Sequence, residues 1–532
     1  MPINYVIGIG GTGARVVEAI VHCCATGFGP MDPLNIFLVD ADEGNGNLTR
    51  TKDLITAYQD CHRIYRSQME MPQALFRTEI RTSEALTWGI LDKTDATLDS
   101  YMIYDSLTDD LKDFVGLLFS PEERETRLNE GFRGHPSIGA AVMANAEEKG
   151  PWQSFWQSVS NAQGEGSVRV FLVGSVFGGT GAAGIPTFAS PDMLKRNPKA
   201  KLKEPGASKI RLGAALVLPY FVVDMDAEAT QVAETEMCVT PADFPIATKV
   251  ALEYYDTKQL AFDDIYLVGD DAGRKVGDFH AGARLQSNRP HYIELITALS
   301  AFDFFRSPPG PAKEARYFLA GRDSTVIDWD GLPVSRDETR LVELQRNLKH
   351  ALVSMSAFAY GLATYGAAIF EADPISLRET WYRDRFALKP TLKGRDKAFI
   401  DDASRDELRV VKKYSEEFLI WLAQLDGDDG RLALIRGDKL GVRLESTGAA
   451  FNPEPDQGNG KLPIFLKSES RAGVEEPASR SPKPDDLLLV LKDQAGSDLN
   501  ASASAQFIDL FYRASVRFTE SELRVTTLGT EV

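Results

Sequence analysis

The chain has 532 residues, 43% of them hydrophobic, and a formal net charge of −18 at pH 7. This length allows a large buried core and suggests two or three domains. The negative charge opposes approach to nucleic-acid backbones and anionic membranes, so we expect neither as a partner. Four cysteines without metal-ligand spacing and no signal-like segment predict reduced thiols and a cytoplasmic protein. The uncharged stretch 351–370 has about the length that spans a bilayer, but it continues a polar helical pattern, so we expect a buried helix.

The first half of the sequence alternates short apolar runs with helical patterns. NYVIGIG (4–10) and NIFLVDAD (35–42) are typical of strands, and the segment between them is typical of a helix. Further strands are predicted at 168–176, 211–222 and 263–270, separated by segments long enough for crossover helices. This order predicts an α/β fold with a doubly wound, mostly parallel sheet, in which ligands bind at the carboxyl ends of the strands.

Composition divides the chain into four predicted parts. Residues 1–310 form the sheet domain, which closes with a long core helix that has Pro290 in its first turn. Residues 311–467 form a second domain that is mainly helical or α+β. A Pro/Ser/charge-rich linker or loop at 468–486 separates it from a C-terminal segment at 487–532.

A glycine-rich loop follows the first strand and opens a helix. Its residues are Gly10, Gly11, Thr12 and Gly13. Glycines allow the backbone to approach a phosphate closely, and a helix N-terminus offers unpaired N–H groups and a favourable dipole. Asp40 and Asp42, at the end of the next strand, also fit a dinucleotide fold, in which an acid binds a ribose hydroxyl. These residues alone leave an NAD- or FAD-dependent oxidoreductase open.

A second strand, glycine loop and helix start lie at 170–189. The loop residues are Gly178, Gly179, Thr180 and Gly181. Their backbone N–H groups can surround the β- and γ-phosphates of a nucleotide, with the Thr180 hydroxyl as a further donor. A dinucleotide fold needs one such loop, whereas two facing loops suit a nucleoside triphosphate.

These two loops, in this order, resemble those of tubulin and the bacterial division protein FtsZ, and the chain is similar to a divergent bacterial tubulin-like family of that superfamily. LVLPYF (216–221) resembles the family's loop near the ribose, and Asn288 precedes the helix that carries base-contacting residues in the family. Asp40 and Asp42 fall at the acidic loop near the phosphates and their magnesium. GHPSIG resembles the loop that senses the γ-phosphate, and this gives Gly134, His135, Pro136 and Gly139 as site residues.

The resemblance implies GTP/GDP as the ligand, with Mg²⁺ held mainly by the nucleotide and near Asp42, and no separate metal site. Two positions depart from the family signature. Phe177 stands where the family has Gly, Ala or Ser, and Ala183 stands where it has its closing glycine, with Gly184 one place later. The chain before Gly134 is also longer than in FtsZ, which indicates an insertion.

The resemblance also implies an acidic loop after the core helix that completes the active site of the next subunit. Asp328 and Asp330, in VIDWDGLP (326–333), match that loop and would orient the attacking water. Two carboxylates on one turn are also what an ordinary exposed acidic loop offers, so the residues alone leave both interpretations open. On this resemblance the protein is a GTPase that assembles head to tail with itself into filaments or rings.

Two alternatives remain at this point. The first is a nucleotide-gated interaction or scaffold protein that binds GTP without polymer-coupled turnover and recruits a protein partner through its C-terminal half. The second is the NAD- or FAD-dependent oxidoreductase. The sequence leaves open the preference for GTP over ATP and the biological process.

Overall fold

A computed structural model gives the fold of most of the chain. The described residues are 2–66, 75–90, 96–132, 134–144, 150–165, 167–189, 210–224, 230, 240, 242–258, 260, 262–270, 274–278, 286–308, 315–319, 326–390, 397–426, 431–445, 448–453, 462–463, 465–466, 491 and 501–528. The chain divides into two compact units. Unit 1 comprises Met1–Ile20, Asp32–Ile55 and Ile80–Gly321, and unit 2 comprises Val21–Met31, Thr56–Glu79 and Arg322–Val532.

A parallel sheet of seven strands forms the centre of unit 1. The described strands of unit 1, in chain order, are β1 Ile3–Ile9, β2 Leu34–Val39, β3 Ile80–Trp88, β4 Val168–Ser175, β5 Ile210–Val217, β6 Val222–Asp224, β7 Asp264–Val268, β8 Lys275–Asp278 and β9 Arg316–Leu319. The sheet has the order β3-β2-β1-β4-β5-β7-β9, while β6 and β8 form a separate pair. Every neighbouring pair in the sheet is parallel. The almost continuously apolar and buried sequences of β1 and β4 are typical of strands covered on both faces.

Helices connect these strands. They are α1 Gly10–Ala25, α2 Gly46–Arg66, α3 Leu98–Met102, α4 Asp109–Leu118, α5 Pro121–Glu125, α6 Pro136–Ala144, α7 Pro151–Glu165, α8 Gly179–Phe188, α9 Phe244–Lys258 and α10 Tyr292–Arg306. The last turns of α1 and α2 fall in the residue ranges of unit 2.

The predicted core helix is α10, but it begins later than expected. His291 is its N-cap: the imidazole accepts a hydrogen bond from the N–H of Ile293, and the Glu294 side chain accepts one from the N–H of His291. This capping box sets the first helical residue at Tyr292. The placement of Pro290 in the first turn was therefore wrong, because Pro290 precedes the cap.

Unit 2 is mainly helical in its described part. Its elements after Arg322 are α11 Glu338–Gly361, a π-helical segment Leu362–Gly366, α12 Ala367–Phe370, α13 Thr380–Arg385, α14 Asp402–Asp426, the antiparallel strands β10 Val442–Glu445 and β11 Gly448–Phe451, and α15 Ala503–Leu528. Helix α11 packs against α14 and α15. The aromatic rings of Trp381, Phe507 and Phe511 contribute to this core.

Within the described ranges, one helical stretch is long and apolar enough to cross a membrane. It is Glu338–Phe370, which contains the uncharged segment noted in the sequence, and 89% of its most apolar 18-residue window is buried inside the protein. A core helix of a soluble protein meets the same criteria, so this stretch is weak evidence for a membrane span.

The predicted α/β class with a mostly parallel central sheet is confirmed. The predicted linker at 468–486 lies outside the described residues. The boundaries of the predicted parts 1–310, 311–467 and 487–532 stay predictions.

Candidate functional site

The order of the sheet reverses between β1 and β4. The chain continues from β1 to β2 and β3 on one side, and from β4 to β5 on the other. In open α/β sheets such a reversal leaves a crevice at the carboxyl ends of the two strands, and ligands bind there. Strand β1 ends at Ile9 and β4 at Ser175. The two glycine loops predicted from the sequence therefore lie on the two sides of one crevice.

The first loop combines a left-handed backbone with very close packing. Gly10 has φ +71°, a conformation that glycine adopts without strain. A Cβ atom on Gly13 would lie 2.7 Å from the carbonyl oxygen of Val173 and 2.8 Å from the carbonyl carbon of Gly8, so no side chain fits there. Helix α1 begins within this loop, and the N–H groups of its first turn lack partners inside the helix.

The second loop has the same design. Helix α8 begins at Gly179 with Gly178 as its N-cap, and no side chain caps it. A Cβ on Gly181 would lie 2.5 Å from the carbonyl oxygen of Ser175. A Cβ on Gly10 would lie 3.3 Å from the Cβ of Thr180 and 3.4 Å from the nitrogen of Gly181. The two loops are therefore in contact, and two helix N-termini converge at the crevice.

The third predicted loop, GHPSIG (134–139), packs against the second glycine loop. Gly134 has φ +86° and precedes α6, which begins at Pro136. A Cβ on Gly179 would lie 3.1 Å from the nitrogen of Gly134, and a Cβ on Gly139 would lie 2.7 Å from the Cβ of Ala183. Segments about 45 residues apart in sequence thus pack backbone to backbone at the start of α8.

His135 is the residue of this third loop whose side chain could take part in a reaction. It pairs with an acidic residue. Its Nδ1 lies 3.4 Å from Oε1 of Glu123, and both side chains are partly exposed. Glu123 also accepts a hydrogen bond from the N–H of Ser120 in the cap of α5. The predicted phosphate contact of His135 stays a prediction.

Asp40 and Asp42 are both buried at the end of β2. The hydroxyl of Thr180 donates to Oδ1 of Asp40 at 3.3 Å, and the N–H of Asp42 donates to the same oxygen at 3.2 Å. Burial and the neighbouring Asp42 carboxylate raise the pKa of Asp40 to about 7. The acidic loop is therefore linked directly to the second glycine loop. Among the described residues, no group of three or more His, Cys, Asp or Glu forms a metal site by itself.

Asn288 lies in the segment before α10 and is held by Asn47 near the start of α2. The Nδ2 of Asn47 donates to Oδ1 of Asn288 at 3.1 Å, and the N–H of Asn288 donates to Oδ1 of Asn47 at 2.8 Å. A Cβ on Gly11 would lie 3.5 Å from Nδ2 of Asn47. The structure thus brings Asn288 to the first glycine loop through a residue that sequence reasoning missed.

The two departures from the family signature have clear packing roles. The Phe177 ring is buried against Tyr220, Phe221 and Phe244, with ring centroids 6.4, 5.8 and 4.5 Å away. A Cβ on Gly184 would lie 2.7 Å from Cγ2 of Ile9. The glycine that follows Ala183 therefore lets α8 pack closely on β1.

A buried charged network adjoins the first loop and was also missed. The Nη2 of Arg15 donates to the Tyr220 hydroxyl at 2.6 Å, and that hydroxyl donates to Oε1 of Glu294 at 2.7 Å. The Nε of Arg15 lies 3.1 Å from the same carboxylate oxygen. Thr12 also hydrogen-bonds Tyr220, and burial followed by the Glu294 charge keeps the tyrosine pKa well above its usual value. The sequence did contain a signal for this network: Arg15 and Glu294 each lie inside an otherwise apolar helical pattern.

Asp328 and Asp330 lie in unit 2, on an exposed turn. The Oδ1 of Asp328 accepts the N–H of Gly331 at 2.9 Å, and the carbonyl oxygen of Asp330 accepts a hydrogen bond from Nε2 of Gln345 at 2.7 Å. Trp329, between the two acids, is buried. The turn is therefore ordered by its own hydrogen bonds, and its carboxylates are accessible.

The structure brings most of the predicted nucleotide residues of unit 1 to one crevice. Contacts join Gly10 to Thr180 and Gly181, Asp40 to Thr180 and Asp42, Gly134 to Gly179 and, through Asn47, Gly11 to Asn288. Gly13, Gly139 and Gly178 pack against other residues of the same loops, strands and helices. No protein-family model matches the chain, and no curated protein matches it either. Support for a function therefore comes from the geometry of this crevice and from the resemblance of its motifs.

Proposed function

We propose that this chain binds GTP at the crevice between β1 and β4, hydrolyses it to GDP and phosphate, and assembles head to tail with itself. The observation that carries the binding proposal is the contact between Gly10 and Thr180. It brings two helix N-termini to one point, and each offers N–H groups and a favourable dipole to an anion.

The residues present fit a triphosphate. Gly10, Gly11, Gly178 and Gly179 carry no Cβ atoms, so a phosphate chain can approach the backbone closely at these positions of the two helix starts. The Thr180 hydroxyl donates to Asp40 in this structure, and in the proposed complex it turns from that carboxylate and donates to a phosphate. Asp40 and Asp42 are the nearest acids, and a nucleotide-bound Mg²⁺ beside them would offset the repulsion between these carboxylates and the phosphates.

The hydrolytic part of the proposal depends on Asp328 and Asp330. Both carboxylates are exposed on an ordered turn of unit 2. In the proposed assembly they reach the nucleotide of a neighbouring subunit and orient the attacking water. Such a contact uses different surfaces on the two copies and yields rings or filaments.

A second candidate is the nucleotide-gated interaction protein. The mainly helical described part of unit 2 favours it, because helical faces are a common way to recruit a protein partner.

One feature of the sheet supports the third candidate, the NAD- or FAD-dependent oxidoreductase. The strand order 3-2-1-4-5 is that of dinucleotide-binding sheets.

Phosphate release from GTP and from ATP should be measured over a range of protein concentrations, with light scattering in parallel. Turnover of GTP that rises more steeply than linearly, together with scattering, is expected if the active site forms between subunits. Linear turnover, or GTP binding without turnover, would favour the interaction protein. A flavin or nicotinamide absorbance in the purified protein would favour the oxidoreductase.

Thr180→Ala tests the binding site itself. Loss of one hydrogen bond to a phosphate should weaken GTP binding roughly 10-fold, as measured by calorimetric titration. Thr187→Ala is the matched control, because the Thr187 hydroxyl donates to the carbonyl of Ala183 one turn back in α8. Equal GTP affinity of the wild type and Thr180→Ala would remove the second loop from the site.

A further inference from the structure

Helix α4 (Asp109–Leu118) presents four large apolar side chains to solvent. Leu117 is 84% exposed, and Leu111, Phe114 and Leu118 are each 48 to 56% exposed. Residues three, four or seven positions apart lie on one face of a helix, so these side chains form one continuous stripe. Single exposed apolar residues are normal on a protein surface, whereas a large contiguous patch often marks an interaction site.

The opposite side of α4 attaches the helix to unit 1. Val115 is its buried residue, and Phe119, the C-cap, is buried as well. Both belong to the hydrophobic core that also contains Phe132 and Ile138. A Cβ on Gly116, in contrast, would meet nothing within 4 Å. The contacts of α4 with its own core are thus made by residues outside the stripe.

Acidic residues border the stripe. Residues 99–126 contain eight acidic and two basic residues, a local net charge of −6 in a chain whose total is −18. Asp110 and Asp113 are both exposed. Asp110 lies four residues before Phe114, and Asp113 lies four residues before Leu117, so each carboxylate adjoins an apolar side chain of the stripe.

The two basic residues of this segment are engaged with other groups. Arg124 pairs with Asp99 at 3.4 Å, and its guanidinium lies 4.1 Å from the centre of the Tyr104 ring. The ammonium of Lys112 lies 5.9 Å from the centre of the same ring. Acids in the first turn of α4 also stabilise the helix dipole, but Asp113 lies beyond that turn. The stripe therefore has a rim with surplus negative charge.

We propose that α4 is a docking site for an amphipathic helical segment of another protein, one whose apolar stripe is flanked by lysine or arginine. Leu111, Phe114 and Leu118 have the i, i+3, i+7 spacing with which one helix packs against another. Basic flanks on the partner are attracted to the acidic rim, which steers the encounter and selects against acidic partners. This docking needs no bound nucleotide.

Charge distinguishes this partner from two other occupants. A second copy of the chain carries a net charge of −18 and is repelled by the same rim. Amphipathic helices that lie on anionic membranes carry lysine or arginine on their polar face, whereas α4 contains three aspartates and one lysine. A basic protein segment is the occupant that both the stripe and the rim favour.

The probe is a synthetic, fluorescein-labelled peptide of about 18 residues, long enough to be helical, with leucines in one stripe and lysines on both flanks. Its counterpart has glutamate in place of each lysine. Fluorescence anisotropy with the full, nucleotide-free chain measures both affinities. We expect the lysine peptide to bind at least roughly 10-fold more tightly at low salt. Equal affinities, or no binding of the lysine peptide, would overturn the proposal.

The first variant removes the stripe. Phe114→Gln combined with Leu117→Gln keeps good helix formers in α4 and should weaken binding of the lysine peptide roughly 10- to 100-fold. Ile246→Gln combined with Val250→Gln is the matched control. These two side chains are 69% and 60% exposed on α9, which has two acidic and two basic residues, so the affinity should stay at the wild-type value. Equal effects of the two double variants would overturn the proposal.

The second variant changes the rim alone. Asp110→Asn combined with Asp113→Asn leaves the stripe intact and should weaken binding of the lysine peptide about 3- to 10-fold. Unchanged affinity would overturn the assignment to a basic partner.

Sedimentation of the wild type and of the stripe variant, over a range of concentrations, tests the second copy as an occupant. We expect the same association state for both. Self-association that the stripe variant abolishes would assign this face to a second copy and overturn the proposal. None of these outcomes depends on whether the chain binds GTP.

Discussion

The crevice between β1 and β4 and the acidic turn at 326–333 are built in different ways. The crevice is assembled from segments far apart in the chain, and two of its glycines, Gly13 and Gly181, have no room for a Cβ atom because a backbone atom lies within 3 Å. The acidic turn is a single continuous segment: the Asp328 carboxylate binds the turn's own backbone, Gln345 binds the carbonyl of Asp330, and the backbone of Ile327 pairs with 431–433.

This difference separates the support for binding from the support for catalysis. Close packing of glycines at two helix N-termini serves the fold itself, and it also brings the N–H groups of both helices to one point where an anion can bind. An exposed Asp that accepts a hydrogen bond from the N–H three residues later is the ordinary chemistry of a turn. The binding proposal therefore depends on geometry, whereas the catalytic proposal depends on the resemblance to the tubulin/FtsZ superfamily.

The largest expected effect concerns the acidic turn. If Asp328 and Asp330 orient the attacking water, Asp328→Asn and Asp330→Asn should each lower GTP turnover by roughly 10²- to 10⁴-fold while GTP affinity stays the same. Asparagine keeps the oxygen that accepts the N–H of Gly331, so the turn should survive. Phosphate release under saturating GTP measures the effect.

Asp373→Asn is the control for this measurement. Asp373 is also exposed in unit 2 and accepts a backbone N–H two residues later, from Ile375 at 3.1 Å. Its substitution should leave turnover unchanged. Unchanged turnover in both Asp328→Asn and Asp330→Asn would make the turn purely structural and would favour the interaction protein.

The next prediction compares how a buried and an exposed carboxylate affect the free energy of unfolding. Because the pKa of Asp40 is raised to about 7, the folded protein binds its proton more tightly than the unfolded chain does. Its ionised form therefore destabilises the fold increasingly as pH rises from about 4 to 7. Asp40→Asn should raise the free energy of unfolding at pH 8 by an amount of the order of 1–4 kcal/mol, and this gain should vanish near pH 4.

Urea unfolding of the nucleotide-free protein at the two pH values measures this gain. Asp328→Asn serves as the exposed counterpart and should change stability by less than about 0.5 kcal/mol at either pH. A gain for Asp40→Asn that is absent at pH 8, or equal at both values, would show that the Asp40 carboxyl is not held in the neutral form.

The smallest effect tests whether the crevice glycines are required by packing. Gly181→Ala places a methyl group 2.5 Å from the carbonyl oxygen of Ser175 and should lower the free energy of unfolding by about 1–3 kcal/mol. A Cβ on Gly116, inside α4, meets nothing within 4 Å, so Gly116→Ala should instead stabilise by about 0.5–1 kcal/mol. Equal effects of the two substitutions in urea unfolding would contradict the close packing.

The sequence predicted those features that local patterns encode. Apolar runs that end in glycine loops identified β1 and β4, and their loops identified the residues of the crevice. The alternation of strands and helices was sufficient to predict the parallel sheet, because parallel strands are joined by crossovers long enough to contain a helix.

Features created by contacts between remote residues were not predictable. Asn45 and Asn47 are 241 residues from Gln286 and Asn288, their partners, and nothing in either segment alone indicates the pairing. Arg15 and Glu294 each interrupt an apolar helix, but only the fold shows that the two charges meet. The start of α10 was misplaced because a histidine cap is less common than a cap by Ser, Thr, Asp or Asn.

The division of the chain into two units has a consequence for its inheritance. The chain passes from one unit to the other after residues 20, 31, 55, 79 and 321. Unit 2 therefore draws on stretches from near the N-terminus as well as on the C-terminal half. A gene fragment that encodes only residues 322–532 lacks part of that unit, so recombination at a single point cannot exchange unit 2 intact.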